Sequence, residues 1–119
     1  MNTVRGLALD ERLRPRLARG TGGYSGPALK PIALAAVYAC RSVTELPIVG
    51  MGGVWTGADV LDLIACGATH VALGTVLFAD PEAPGRVRTE LEVALANSGF
   101  DNTAGAFCAA QEPVFTSGN

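Results

Sequence analysis

Residues 46–75 read LPIVGMGGVWTGADVLDLIACGATHVALGT. The aliphatic run Leu46 to Val49 ends in glycines, the pattern of a buried strand followed by a tight turn. Thr56 then offers a helix N-cap with Asp59 three residues on, and the helical stretch TGADVLDLIAC stops at Gly67, a C-cap glycine. A second strand follows in THVALGT, carried by Val71 and Leu73 and ending in Gly74-Thr75. Strand, helix and strand in this order predict two parallel strands joined by a crossover helix.

Upstream, PALKPIALAAVYACRS from Pro27 to about Ser42 places Ile32, Ala36, Val37 and Cys40 at helical spacing. Pro31 sits in the first turn, where its missing N–H would be unpaired in any case. Before it, GTGGYSGP has four glycines in eight residues, a loop that bends sharply or approaches something closely. In residues 1–20 Leu7, Leu9, Leu13 and Leu17 are interleaved with polar groups and interrupted by Pro15, which predicts a β-hairpin or an extended loop pair. Downstream, Asp80-Pro81 opens a third helical stretch with Val87, Leu91 and Leu95 on one face and Gly99 as its stop. Residues 1–100 thus form the structured segment, and 101–119 read as a C-terminal tail without periodicity.

The fold class is α/β. Two complete strands and a strand end at Asn2-Thr3 give about three βα units, whereas a closed (β/α)8 TIM barrel needs about 250 residues. Two or three parallel strands bury poorly on both faces, so the sequence reads as part of something larger, and 119 residues cannot close such a barrel. Composition narrows the rest. With 49% hydrophobic and 17% charged residues the chain is too apolar to be a disordered tail. No apolar run has transmembrane length, the opening MNTVRGLALDER has no signal-peptide core, and Cys40, Cys66 and Cys108 form no zinc or disulfide framework. A soluble, cytoplasmic protein without a membrane partner is expected. The net charge of −2 argues against a nucleic-acid partner. It divides into +4 over residues 1–30 and −7 over 42–119, with Arg41 between, and the basic end reads either as an anion or partner surface or as a solvated loop.

In parallel α/β folds ligands sit at the carboxyl ends of strands, and here the glycines cluster at those ends. Glycine lets main-chain N–H groups converge on an anion, and a following helix adds partial positive charge. Two such loops after adjacent strands make a phosphate site; they also make ordinary tight βα turns, and the residues alone leave both readings open. No paired carboxylates, Ser-His-Asp set or metal cluster is apparent. His70 lacks a partner and reads as structural, Cys40 and Cys66 as small buried hydrophobes. Lys30 reads either as facing a bound ring or phosphate or as a surface lysine. Tyr24 and Trp55 flank the glycine loops and read as covers for loop backbone.

The blocks TGGYSGPALKPIALAAVY and PIVGMGGVWTGADVLDLIACGATHVALGT, with the opening Asn2-Thr3, resemble the C-terminal part of the dihydroorotate dehydrogenase family, and within it the NAD-linked, two-subunit branch. The resemblance covers residues 2–100. It implies a (β/α)8 barrel that binds FMN and oxidises dihydroorotate to orotate in pyrimidine synthesis, passing electrons to an iron–sulfur and FAD subunit and then to NAD, in an oligomer. Asn2 and Thr3 match a pair that hydrogen-bonds the pyrimidine, Gly26 a backbone contact to FMN, Gly52 and Gly53 one phosphate loop, and Gly74 and Thr75 the next. The family's general base, a cysteine, and its flavin-contacting lysine match nothing in this sequence, so no catalytic residue is assigned and the chain alone is expected to be inactive. Two other readings stand beside this one: a non-catalytic remnant or half-barrel completed by another chain, and a different FMN or phosphate-binding barrel of the dihydropyrimidine or inosine-phosphate dehydrogenase type.

Overall fold

Two parallel strands carry the structure, a computed structural model that describes residues 1–111. In chain order the elements are β1 (Val4–Gly6), β2 (Gly22–Tyr24), α1 (Lys30–Arg41), β3 (Val49–Met51), α2 (Gly57–Cys66), β4 (His70–Ala72), α3 (Val76–Ala79), α4 (Ala83–Asn97) and α5 (Thr103–Ala106). Short 3-10 turns at Pro27–Leu29 and Ala109–Gln111 precede α1 and follow α5. β3 and β4 pair in parallel with Val49 opposite His70 and Met51 opposite Ala72, and α2 is their crossover. β1 and β2 form a separate antiparallel ribbon whose second strand lies in the glycine stretch read as a loop, past residues 1–20 where the hairpin was expected. Within those residues the only pairings are the isolated bridges Leu9–Pro15 and Leu17–Gly20.

Local chemistry explains the crossover helix. The Thr56 hydroxyl accepts the Asp59 N–H, while the Asp59 carboxylate accepts the Thr56 N–H: a reciprocal capping box. Gly67 ends the helix at φ 118°, a left-handed cap that a side chain would strain. Val60, Leu61, Leu63 and Ile64 are buried, joined by Val37 from α1 and by Val87 and Leu95 from α4. α2 and α4 cross so closely that a Cβ at Gly57 would lie 2.1 Å from the Leu91 nitrogen.

The sheet is covered on one side only. A Cβ at Gly50 would meet Ala68 and Leu63, so this position of β3 faces the helices. Its neighbours Val49 and Met51 face the other way and remain 58% and 40% exposed. The predicted buried strand over Leu46 to Val49 is therefore corrected twice. Pairing begins at Val49, past Pro47, which has no N–H to give a ladder; Val49 is exposed because nothing packs on the inner face, and Leu46 lies exposed ahead of the strand. The radius of gyration of 16.9 Å exceeds the about 13–14 Å of a globular chain of this length, and the longest dimension is 57 Å against 25 Å for the shortest, as befits a wall with a protruding ribbon.

The C-terminal reading also changes. Residues 101–111 are a folded flap, and only 112–119 of the predicted tail lie outside the described residues. Asn102 caps α5, Ala106 is buried, the Cys108 N–H donates to the Ile64 carbonyl, and the Gln111 amide donates to the carbonyls of Tyr38 and Cys66. Arg41 joins the same seam. Its guanidinium donates to the carbonyls of Gly67, Thr44 and Leu46 and lies 5.4 Å from the centre of the Phe107 ring. The third predicted helix is α4, and a four-residue helix that the sequence reading did not include, α3, precedes it; the Asp80 side chain accepts the Glu82 N–H and turns the chain between the two. Cys40 is exposed and Cys66 half-buried, so neither is the core hydrophobe that the sequence suggests.

Two glycine substitutions check this packing. Gly57→Ala drives a methyl into the α4 backbone and is expected to cost about 3 kcal/mol or more in urea unfolding. Gly85→Ala, inside α4 with open space at its Cβ, is expected to stabilise by about 0.5–1 kcal/mol.

Candidate functional site

Three stretches of chain meet at the carboxyl ends of β3 and β4. Gly26 has φ 105° and reverses the chain into Pro27. Gly52 and Gly53, at φ 123° and 72°, fold the loop after β3 back onto the start of α1. The approach at Gly53 is backbone on backbone: a Cβ there would stand 2.5 Å from the Lys30 nitrogen. Gly74 and Thr75 follow β4, and Gly74 has an ordinary φ and nothing within 4 Å of where its Cβ would be. The Met1 amine donates to the Met51 carbonyl at 2.6 Å, which sets Asn2 and Thr3 beside the end of β3.

Together these stretches line one cleft of about 180 Å³. Asn2 and Thr3 form one wall, Gly26 a second, Gly52 and Gly53 a third, and Gly74 and Thr75 the fourth. All seven residues singled out from the sequence thus share one space. The Asn2 carboxamide oxygen accepts the neighbouring Thr3 N–H at 2.7 Å, which leaves its NH₂ group free to donate. Among the described residues no hydrogen bond engages the N–H groups of Gly53, Gly74 or Thr75. The Ser25 hydroxyl and the Trp55 ring line the same space. Sequence reasoning did not select Ser25, although it stands next to Gly26 in the same turn.

The loop from Gly52 to Thr56 is braced on both sides. Lys30 reaches Asp59 at 2.7 Å and Asp62 at 2.5 Å, and Asp59 also accepts the N–H groups of Trp55 and Thr56. Opposite, Arg86 donates to the Trp55 carbonyl at 3.1 Å and pairs with Asp80 and Glu90, while Glu90 accepts the Gly57 N–H. These networks decide between the two readings of Lys30 and change what the first turn of α2 can offer. Lys30 points at carboxylates on α2 and does not line the cleft. The first turn of α2 is occupied by Asp59 and Glu90, so its positive end is not available to an anion.

Burial disfavours charge on Asp59, yet the Lys30 hydrogen bond and the two backbone donors prevail and hold its carboxyl below the usual range. Burial also opposes charge on Lys30, and its two carboxylate partners outweigh that and raise its pKa. At Cys66 burial, reinforced by Asp62, pushes the thiol up and away from reactive thiolate. Among the described residues no side chain lining the cleft is titratable, so these residues can bind and orient but supply no side-chain base. A larger hollow of about 540 Å³ between α2, α4 and β4 is lined mainly by apolar groups such as Val60, Ile64 and Leu91, and lacks the converging donors of the cleft. Among the described residues no group of three or more His, Cys, Asp or Glu is placed to hold a metal, and no helix is long and apolar enough to cross a membrane.

The family model described as dihydroorotate dehydrogenase matches residues 1–95. The chain is 47% identical over 101 residues to the dihydroorotate dehydrogenase B (NAD(+)) catalytic subunit of Geobacter sulfurreducens, covering 84% of this chain and 33% of that protein. It is 46% identical over 101 residues to the putative dihydroorotate dehydrogenase A (fumarate) of Solibacter usitatus, with the same coverage of this chain and 33% of that protein. Among solved structures it superposes on DHODH from Eimeria tenella in complex with ferulenol with a TM-score of 0.78 at 30% identity, covering 95% of this chain and 30% of the other. The chain thus spans about a third of the length of these relatives.

The brace makes a pH prediction. Asp59, with a lowered folded pKa, adds stability above its unfolded value of 3.8 and loses it as pH falls through the folded value. Lys30, with a raised folded pKa, adds stability below 10.5 and loses it as pH rises through the folded value. Lys30→Met is therefore expected to cost about 1 kcal/mol, after solvent screening, on the plateau between these limits. The difference from the parent chain should vanish toward both extremes in urea titrations run across pH.

Proposed function

The chain belongs to the dihydroorotate dehydrogenase family, and on that premise we propose that it forms the C-terminal wall of a (β/α)8 barrel that oxidises dihydroorotate to orotate in pyrimidine synthesis. The observation that carries this reading is the meeting of Asn2, Thr3, Gly26, Gly52, Gly53, Gly74 and Thr75 around one cleft. The bare inner face of β3 supports it, since parallel sheets are buried on both faces in complete domains. In this reading residues 1–100 are the barrel segment and 101–119 follow it.

The residues present fit the phosphate end of FMN. Gly74 needs no glycine for its backbone angles or its packing, so the space where its Cβ would stand is left for a bound group. The N–H groups of Gly53, Gly74 and Thr75 and the hydroxyl of Thr75 are the donors for the phosphate, and Gly26 lends backbone. When bound, FMN supplies the hydride acceptor. Asn2 and Thr3 orient the pyrimidine, because an amide and a hydroxyl each donate and accept, and the ring presents alternating C=O and N–H. A cleft of about 180 Å³ lies below the about 300–1,000 Å³ of a complete small-molecule site, so the rest of the barrel encloses the flavin ring and supplies the base. Electrons leave toward an iron–sulfur and FAD subunit and NAD, in a cytoplasmic oligomer; the name of the Geobacter relative supports the NAD-linked branch.

Two measurements test this reading. Gly74→Ala is expected to leave the thermal midpoint within about 2 °C and to weaken FMN binding about tenfold or more in a fluorescence titration. Equal FMN affinity in the variant would remove the phosphate from this cleft. The purified chain is expected to show no dihydroorotate oxidation until it is mixed with the separately produced N-terminal two thirds of the Geobacter sulfurreducens catalytic subunit. Turnover by the chain alone would place the base within it.

A further inference from the structure

We infer that Lys30 is a positioning residue: without lining the cleft it fixes, through Asp59, the gap between the Ser25–Gly26 turn and the Gly52–Trp55 loop. The inference deepens the flavin-site reading and rests on it. An unbroken path of contacts joins the two walls. The Leu29 N–H donates to the Gly26 carbonyl at 3.0 Å, so the turn is tied to the start of α1. Lys30 follows directly, with Gly53 packed on its backbone. Its ammonium reaches Asp59 at 2.7 Å, and Asp59 takes the Trp55 N–H at 2.8 Å. Arg86 holds the next peptide from the other side, through the Trp55 carbonyl, while Asp59 accepts the Thr56 N–H of that peptide.

The capping box of α2 needs only Thr56 and Asp59, so the helix has its cap without Lys30. What Lys30 adds is the link across the cleft. Donors that bind an anion through backbone N–H groups depend on being held at the right separation, because an ordering cost otherwise subtracts from affinity. Asp62 provides an internal control. It touches the same ammonium but is half-exposed and has no hydrogen bond to the loop.

The chain has one tryptophan, Trp55, and it stands on the braced loop, so its emission reports loop position directly. FMN titrations of the full chain, followed by Trp55 quenching, and far-UV thermal melts test the proposal. Lys30→Met is expected to shift ligand-free Trp55 emission and to weaken FMN about tenfold with helical content retained, while Lys30→Arg returns affinity to within about threefold and Asp62→Asn stays within about twofold of the parent. If Lys30→Met does not fold, Lys30→Gln, which keeps one hydrogen bond, takes its place. Unchanged Trp55 emission and FMN affinity in the folded variant would overturn the positioning role. So would Asp62→Asn matching Lys30→Met, since that marks a general charge effect. A parent chain that binds no FMN even when mixed with the N-terminal two thirds of the Geobacter sulfurreducens catalytic subunit overturns the flavin reading instead, and the ligand-free Trp55 emission of the chain alone then still decides the role of Lys30.

Discussion

The loop after β3 lies directly on the backbone of Lys30, and only a hydrogen in place of a side chain at Gly53 permits that approach. This contact sets the distance between α1 and the carboxyl end of β3, and with it the width of the cleft. The rest follows from the same close fit. α2 leaves the loop through a capping box, meets α4 backbone at Gly57, and both helices press their apolar faces onto one side of the sheet. Close packing brings the loop onto α1, and the ion pairs then hold it at that separation, a positional role open to partly exposed charges that contribute little stability on their own.

The same packing leaves the opposite side of the sheet without a partner. Val49 and Met51 face solvent there, although burying a side chain of that size is worth about 1.5–3 kcal/mol. A sequence that places aliphatic residues on an uncovered strand face is adapted to more structure than is present here. The chain spans about a third of its relatives, and the cleft opens at the end of the same two strands. Binding wall and unfinished core are therefore two aspects of one incomplete sheet.

What the sequence made legible was local. The capping box at Thr56 and Asp59, the left-handed Gly67 and the apolar stripe Val87, Leu91 and Leu95 each follow from residues within one or two turns of one another. The glycine loops were legible for the same reason, and their meeting in one cleft follows from parallel topology, which puts successive strand ends side by side. Long-range partners were not legible. Nothing near Arg41 announces that it will bind Gly67 and stack on Phe107, and nothing near Arg86 announces the Trp55 carbonyl. The flap over residues 101–111 escaped because a four-residue helix has no period to detect, and its anchors, Cys108 to Ile64 and Gln111 to Tyr38, span more than forty residues. The strand register was misread because Leu46 and Ile48 have β propensity while Pro47 between them has no donor.

Electrostatics adds a constraint on the kind of binding the cleft can offer. Among the described residues no lysine or arginine lines it, the Met1 ammonium at its edge is engaged by the Met51 carbonyl, and Lys30 and Arg86 behind the loops are each committed to two carboxylates. The first turn of α2, which could have faced an anion, is filled by Asp59 and Glu90. A phosphate placed in this cleft, as proposed, would meet mainly neutral donors, namely backbone N–H groups and the hydroxyl of Thr75. Dipoles act at shorter range than charges, so their grip depends on angle and distance far more steeply than that of an ion pair. In such a site the residues that keep the loops in place govern affinity as much as the donors themselves, and the cations are better placed behind the loops than inside the cleft.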